Sequence, residues 1–157
     1  METLYIVRFP RNGKKMNLQQ IMTRKIITVE PDDSLATVKD IFDNLKFHHL
    51  LVVESNLLVG VVSDRDLLKA LSPNLGTLSA TLKDEATLNK RVHQIMTHSP
   101  ITLHADARII DAITLFNSRK VSCVPIVDDE FRPLGIVSWR DIMNALIAND
   151  DPLLAEP

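Results

Sequence analysis

The chain has 157 residues, a formal charge of −2, 45% hydrophobic residues and 24% charged residues, a composition that excludes disordered and collagen-like proteins. The near-neutral charge and the aromatic content of 4% argue against nucleic-acid binding, which normally uses a basic surface and stacking rings. No apolar run approaches the length of a membrane span, and the one cysteine, Cys123, allows no internal disulfide, so we expect a cytoplasmic protein without membrane or nucleic-acid partners.

An N-terminal extension, residues 1–17, comes first, and we assign it no function although residues 3–9 have the composition of a short strand. A first unit, residues 18–71, follows. Asp32 and Asp33 offer an N-cap to its first helix, in which apolar residues recur at helical spacing. The expected elements are a strand over residues 26–29, a helix over 35–45, strands over 50–53 and 57–62, and a helix over 64–71.

A polar linker, residues 72–91, separates the first unit from a second, and we expect helix in it from Lys83 onward. The second unit, residues 92–148, repeats the plan of the first, and residues 149–157 form a C-terminal tail. The string Gln-Ile-Met-Thr of residues 20–23, for example, recurs at residues 94–97. The expected elements are a helix beginning near Asp106, strands over residues 124–127 and 134–137, and a helix over 139–148.

This internal repeat predicts an α/β (α+β) fold of two copies, each with the order strand, helix, strand, strand and helix. Each copy has only about 50 residues and a small sheet with one face left to cover, so neither is expected to be stable alone. Packing of the copies through a pseudo-twofold axis covers both faces. It also leaves two symmetry-related clefts at the junction, which is where ligand sites tend to form.

A Gly-x-x-Ser-x-Arg-Asp string occurs in each copy at a strand-to-helix junction. A serine followed three residues later by an acid is a capping box, which is a purely structural explanation. The same geometry suits a nucleotide, because free N–H groups at a helix N-terminus attract phosphate and a carboxylate accepts hydrogen bonds from ribose. The arginines favour the second explanation, since a cation there opposes the helix dipole. Both stay open for Gly60, Ser63, Arg65 and Asp66, and for Gly135, Ser138, Arg140 and Asp141.

Other reactive side chains carry weaker signals. The spacing of His93, His98 and His104 does not suit metal ligation, and we predict no metal site. Neither motif serine has a recognisable base and orienting acid, so we predict no catalytic residue and no enzyme activity. Trp139 interrupts the second motif, where it either stacks on a ligand base or lies at a dimer contact.

Taken together, these motifs resemble paired CBS domains, also called Bateman modules. The resemblance rests on the Met-Thr start of each copy, on Val-Pro-Ile-Val-Asp-Asp at residues 124–129 and on Gly-x-Val-Ser-x-Arg-Asp in both copies. It covers residues 18–146, and short pairs of this kind are similar to acetoin-utilisation-type CBS proteins. It implies a regulatory sensor that binds AMP, ADP, ATP or S-adenosylmethionine and requires no cofactor.

The resemblance also implies two ligand sites, each shared between the copies. In the first, Val61, Ser63 and Asp66 face Thr97, Pro100, Ile101, Val121, Ser122 and Cys123. In the second, Ile136, Ser138 and Asp141 face Thr23, Ile26, Ile27, Phe47, His48 and His49. We expect the first site to be the main one, because Leu51 stands where the family commonly has proline and residues 47–49 are bulkier than residues 121–123.

A disc-like homodimer is a further implication, and it agrees with the preference of oligomers for closed twofold symmetry. The chain shows no output domain, so a sensor would need a separate, unknown protein partner. The alternative function is a dimerisation or interaction protein that binds no nucleotide, in which the Ser-x-x-Asp turns are helix caps only.

Overall fold

The first repeat has the predicted order of elements in the computed structural model, which describes residues 16–149 of the chain. The strand expected over residues 3–9 lies outside the described residues. A short helix precedes the repeat's sheet. The elements are α1 (Leu18–Ile21), β1 (Thr28–Val29), α2 (Leu35–Asn44), β2 (His49–Glu54), β3 (Leu57–Ser63) and α3 (Asp64–Ala70).

Strand β1 pairs in parallel with β2, and β2 forms an antiparallel hairpin with β3. The hairpin closes through Ser55 and Asn56, whose φ angles of 51° and 67° match the twist that two-residue hairpin turns require. Helix α2 covers this sheet because its apolar face points inward. Its buried contacts form the first core, with Val29, Leu35, Val38, Leu50, Val52, Val62 and Leu67.

After a linker, the second repeat follows the plan of the first with small changes. The linker holds α4 (Leu82–Glu85) and a 3-10 turn (Ala86–Asn89), so the helix expected from Lys83 onward is present but short. After a second 3-10 turn (Val92–Gln94) come β4 (Thr97–His98), β5 (Leu103–His104), α5 (Ile109–Arg119), β6 (Cys123–Val127), β7 (Pro133–Ser138) and α6 (Trp139–Asn149). The predicted α/β (α+β) fold of two repeats is confirmed.

Residues 18–23 and 92–97, here called the crossing segments, each leave their own repeat and pack on the other. The Leu18 N–H donates to the Ala107 carbonyl at 2.9 Å, and the equivalent Val92 N–H donates to the Asp33 carbonyl at 2.9 Å. Both leucine and valine side chains are fully buried in the opposite core. The two repeats are therefore joined by a reciprocal exchange with approximate twofold symmetry.

Each crossing segment also extends the opposite sheet. Strand β4 pairs antiparallel with β3, with Thr97 opposite Val61, and Thr23 forms the matching bridge to Ile136 on β7. A glycine precedes each of these partners because the crossing backbone approaches closely. A Cβ on Gly135 would lie 2.9 Å from the Thr23 carbonyl oxygen, a distance that requires something to shift.

Two sequence expectations need correction. The N-cap of α2 is Ser34, whose side chain accepts a hydrogen bond from the Thr37 N–H, whereas the Asp33 carboxylate accepts one from the Glu30 N–H. Helix α5, which was expected to begin near Asp106, begins at Ile109. Its Asp111 carboxylate accepts hydrogen bonds from Arg108. Among residues 16–149, no helix is long and apolar enough to cross a membrane.

We expect Gly135→Ala to destabilise the protein by about 1–3 kcal/mol, because its new methyl group would press on the fixed carbonyl of Thr23. Gly60→Ala is the matched variant. Its Cβ would lie 2.5 Å from the sulfur of the flexible Met96 side chain and 3.1 Å from the Thr97 carbonyl oxygen, which is farther than the 2.9 Å at Gly135, so the loss should be smaller. Urea unfolding monitored by circular dichroism measures both, and wild-type stability of Gly135→Ala would contradict the close packing described here.

Candidate functional site

A cleft of about 520 Å³ opens at the junction of the two repeats. The starts of α3 and α6 both reach it, and so does the chain that leads into β2. Residues of the two repeats line it together: Thr23, Lys46, Phe47, His48, His49, Ser63, Asp64, Arg65, Ser122, Ile136, Ser138, Trp139, Arg140 and Asp141.

Asp141, in the first turn of α6, is the best-anchored side chain in the cleft. Its Oδ2 accepts hydrogen bonds from the N–H and the hydroxyl of Ser138, both at 2.7 Å. Its Oδ1 accepts a bond at 2.9 Å from the Thr23 hydroxyl, which the crossing segment brings from the other repeat. The carboxylate is therefore held by both repeats, and it remains only partly buried.

Asp66 occupies the equivalent position in α3 and is held differently. Its Oδ2 accepts bonds from the N–H and the hydroxyl of Ser63, at 2.9 Å and 2.7 Å, which completes a capping box. The equivalent of Thr23 is Thr97, an exposed residue on β4. In residues 16–149 no hydrogen bond joins the Thr97 hydroxyl to Asp66. The two equivalent capping boxes thus differ in one respect, since only that of Asp141 is held by a side chain of the other repeat among the described residues.

Charged and titratable groups surround the mouth of the cleft. Lys46, Arg65 and Arg140 line it and are all exposed. His48 Nδ1 lies 2.9 Å from Asp64 Oδ2, and His49 Nε2 lies 2.8 Å from Ser122 Oγ. Burial lowers the pKa of His49 below its ordinary value of 6.5, and the nearby carboxylates of Asp64 and Asp66 oppose that shift.

A sequence model of the CBS domain matches residues 18–73 and 92–148, which together make up most of the chain. The chain belongs to the CBS-domain family. The resemblance inferred from its motifs is therefore confirmed.

Relatives of this CBS pair differ in the length of chain that they carry outside the matched region. A CBS domain-containing protein of Dictyostelium discoideum is 28% identical over 141 residues, which is 88% of this chain and 97% of that protein. The inosine-5'-monophosphate dehydrogenase of Methanocaldococcus jannaschii is 29% identical over 125 residues, which is 79% of this chain. The match spans only 22% of the dehydrogenase, which is a much longer protein.

Solved CBS pairs share the fold. The CBS domain pair of protein MJ0100, in complex with 5'-methylthioadenosine and S-adenosyl-L-methionine, has a TM-score of 0.72 at 26% identity, over 87% of this chain and all of that one. CBSX2 of Arabidopsis thaliana in complex with AMP has a TM-score of 0.70 at 27% identity, over 84% of this chain and 96% of its own. An acetoin utilization protein of Vibrio cholerae shares the fold at 21% identity, with a TM-score of 0.72, over 92% and 100% of the two chains.

The two predicted ligand sites of the CBS pair fare differently. The cleft gathers most of the second set, namely Thr23, Phe47, His48, His49, Ile136, Ser138 and Asp141, together with Arg140 of the same motif. It also includes Ser63 and Ser122 of the first set and Arg65 of the first motif. The cleft therefore draws on both predicted sets, and the roles of these residues, like the choice of the main site, stay predictions.

The remaining predicted residues lie outside the cleft. Val61, Ile26 and Cys123 pack with Ile136 in a small core between the repeats, Ile27 packs on the first core, and Val121 packs on the second. Burial raises the pKa of the Cys123 thiol to about 12, which makes that thiol unreactive at neutral pH. Pro100 lines a separate groove beside Phe131, and Thr97 and Ile101 are exposed.

Sequence reasoning did not single out Lys46 or Asp64 as a ligand-site residue. The position of Lys46, directly before the Phe-His-His string, was the available signal. Trp139 lines the cleft and also packs on Phe116, with ring centroids 4.8 Å apart. One part of the Trp139 side chain therefore packs on the second core while another part lines the cleft.

We expect Thr23→Val to lower the free energy of unfolding by about 1.5 kcal/mol, because it removes a hydrogen bond to a charged carboxylate between the repeats. Thr97→Val is the matched control at the equivalent position. It should change stability by less than about 0.5 kcal/mol, because Thr97 is exposed. Chemical denaturation compares the two, and equal losses would show that the contact between Thr23 and Asp141 has no special importance.

Proposed function

We propose that this CBS pair is a regulatory module without catalytic activity, and that it binds an adenosine nucleotide in the cleft between its repeats. The observation that carries the proposal is the shared carboxylate of Asp141, which the opposite repeat holds through Thr23. A ligand seated there would contact both repeats at once. Its binding would therefore favour the packed arrangement of the repeats, which is the property that a sensor needs.

The side chains of the cleft match the parts of such a ligand. Asp141 is an acceptor that is already oriented, as recognition of ribose hydroxyls requires. Ile136 and Phe47 offer apolar surface to a base. Arg65 and Arg140 line the same cleft, and guanidinium groups pair well with phosphate. The cleft thus combines one oriented polar group, apolar surface and cations, the features that adenosine nucleotides require.

Similar proteins support the proposal. The MJ0100 pair is described in complex with two adenosyl compounds, and CBSX2 is described in complex with AMP. These are CBS pairs of about the same length as this chain, at 26% and 27% identity. They favour an adenosine ligand for this chain. They do not distinguish a phosphate compound from a sulfonium compound, and that distinction depends on the chain's own residues.

Catalysis is not part of the proposal, because the hydroxyl groups lack the required neighbours. The Ser63 and Ser138 hydroxyls each donate to an aspartate of their own helix, which is capping geometry and gives no activated nucleophile. Ser122 does contact an imidazole, that of His49. In the described part of the chain, however, no carboxylate hydrogen-bonds the other ring nitrogen of His49, so the orienting acid of a catalytic triad is missing.

Dimerisation remains the second candidate function, and exposed apolar side chains favour it. Leu68 on α3 is 72% exposed, and Met143 and Ile147 on α6 are 51% and 59% exposed. Single exposed apolar residues are ordinary, but three on the two equivalent helices suit a self-complementary surface. We propose that a cytoplasmic homodimer forms through this surface and passes the state of the ligand to a separate protein partner.

We predict that AMP, ADP or ATP stabilises the protein in a thermal-shift assay. A ligand at about a hundred times its dissociation constant adds about 2.7 kcal/mol, which corresponds to several degrees. Asp141→Asn should lose most of this shift, because it removes the charged acceptor in the cleft. Asp66→Asn is the matched control in the other capping box, and it should keep the shift.

Two outcomes would contradict the proposal. If no adenosine compound raises the melting temperature, the Ser-x-x-Asp turns are helix caps and the function lies in protein contacts. If Asp66→Asn abolishes the shift and Asp141→Asn does not, the ligand binds outside the cleft described here.

A further inference from the structure

The mouth of the cleft differs from its pseudo-symmetric counterpart in two neighbouring side chains. His48 and His49 stand where the second repeat has Ser122 and Cys123, so two imidazoles replace a hydroxyl and a thiol that is neutral at pH 7. Lys46 lies just before them and lines the same cleft, and Lys120 stands at the equivalent position of the second repeat. This asymmetry is a property of the present sequence and is not needed for the fold, because the second repeat forms the same hairpin without it.

Permanent cations outweigh free carboxylates in the cleft. Lys46, Arg65 and Arg140 carry charges that no ion pair within 4 Å neutralises among residues 16–149. Both carboxylates that line the cleft have hydrogen-bond partners. Asp64 lies within hydrogen-bond distance of His48, and Asp141 accepts hydrogen bonds from Ser138 and from Thr23 of the opposite repeat. With neutral histidines, the side chains that line the cleft carry three positive and two negative formal charges. An anionic ligand would therefore meet a small net positive charge, which disfavours a sulfonium or ammonium group.

We propose that the cleft selects adenosine ligands by the negative charge of their phosphate groups, and that His49 strengthens this selection as the pH falls. The proposal rests on the proposed function, because it concerns the ligand of the same cleft. It assigns a nucleoside di- or triphosphate in preference to S-adenosylmethionine, and it makes His49 a residue that determines specificity.

The direction of the pH effect follows from the surroundings of the imidazoles. In the free protein, burial holds the pKa of His49 down, so its neutral form is favoured. A phosphate chain in the cleft would stabilise the imidazolium, so binding takes up protons and affinity rises with falling pH. The charged or titratable groups that act on His49 are His48, Asp64, Arg65 and Asp66, and Lys46, Arg140 and Asp141 line the same cleft.

Isothermal titration of the full chain tests the proposal, with ADP, AMP and S-adenosylmethionine as ligands at about pH 6 and about pH 8, the range over which histidine titrates. We expect ADP to bind at least about tenfold more tightly than S-adenosylmethionine, as two or more ion pairs of ordinary strength would provide. Repeating each titration in buffers of different ionisation heat should show uptake of up to about one proton per ADP at the lower pH.

Matched variants separate the protein's titration from that of the ligand, whose own phosphate also titrates near pH 6. The double variant His48→Gln and His49→Gln should bind ADP without the added proton uptake, while His104→Gln, an exposed histidine outside the cleft, should behave as wild type. Lys46→Gln should weaken ADP binding about two- to fivefold, and Lys83→Gln in the linker should not change it.

The outcomes distinguish this proposal from the function on which it rests. S-adenosylmethionine binding as tightly as ADP, or proton uptake unchanged in the double variant, overturns the charge selection while nucleotide binding stands. Binding of none of the three ligands at either pH overturns the proposed function and this proposal together.

Discussion

The exchange of the crossing segments is the contact on which the rest of the structure depends. Residues 18–23 complete the core and the sheet edge of the second repeat, and residues 92–97 do the same for the first. Neither repeat has a complete core without the other, because Leu18 and Val92 are fully buried in the opposite unit. Folding of one repeat is thereby tied to folding of its partner, as expected for units of this size.

The same exchange builds the cleft. It carries the Thr23 hydroxyl across the junction to Asp141, so that the acceptor at the start of α6 is fixed from both sides. Because the pseudo-symmetric Thr97 remains exposed on β4, the two junctions are not equivalent. A duplicated sequence thus gives a cleft lined by residues of both repeats, and the two junctions differ through a few substitutions on a symmetric frame.

Much of the fold could be predicted from the sequence, because helical spacing and strand pairs bounded by polar turns are local signals. Helices α2 and α5 and both hairpins lie close to their expected positions. The cap of α2 was misassigned because Asp32, Asp33 and Ser34 are all good caps and the local sequence does not rank them. The crossing segments could not be foreseen, since six residues carry no periodicity and their partners are set by tertiary packing. For the same reason, motif recurrence could not reveal that residues of both predicted sites line a single cleft.

A crystal structure of the full chain with ADP tests the central claim most directly. The account predicts one adenosine in the cleft, with its ribose within hydrogen-bond distance of Asp141 and its phosphates near Arg65 and Arg140. Nucleotide bound only to one repeat, or in the groove of Pro100 and Phe131, would contradict the claim that the junction of the repeats is the sensing site.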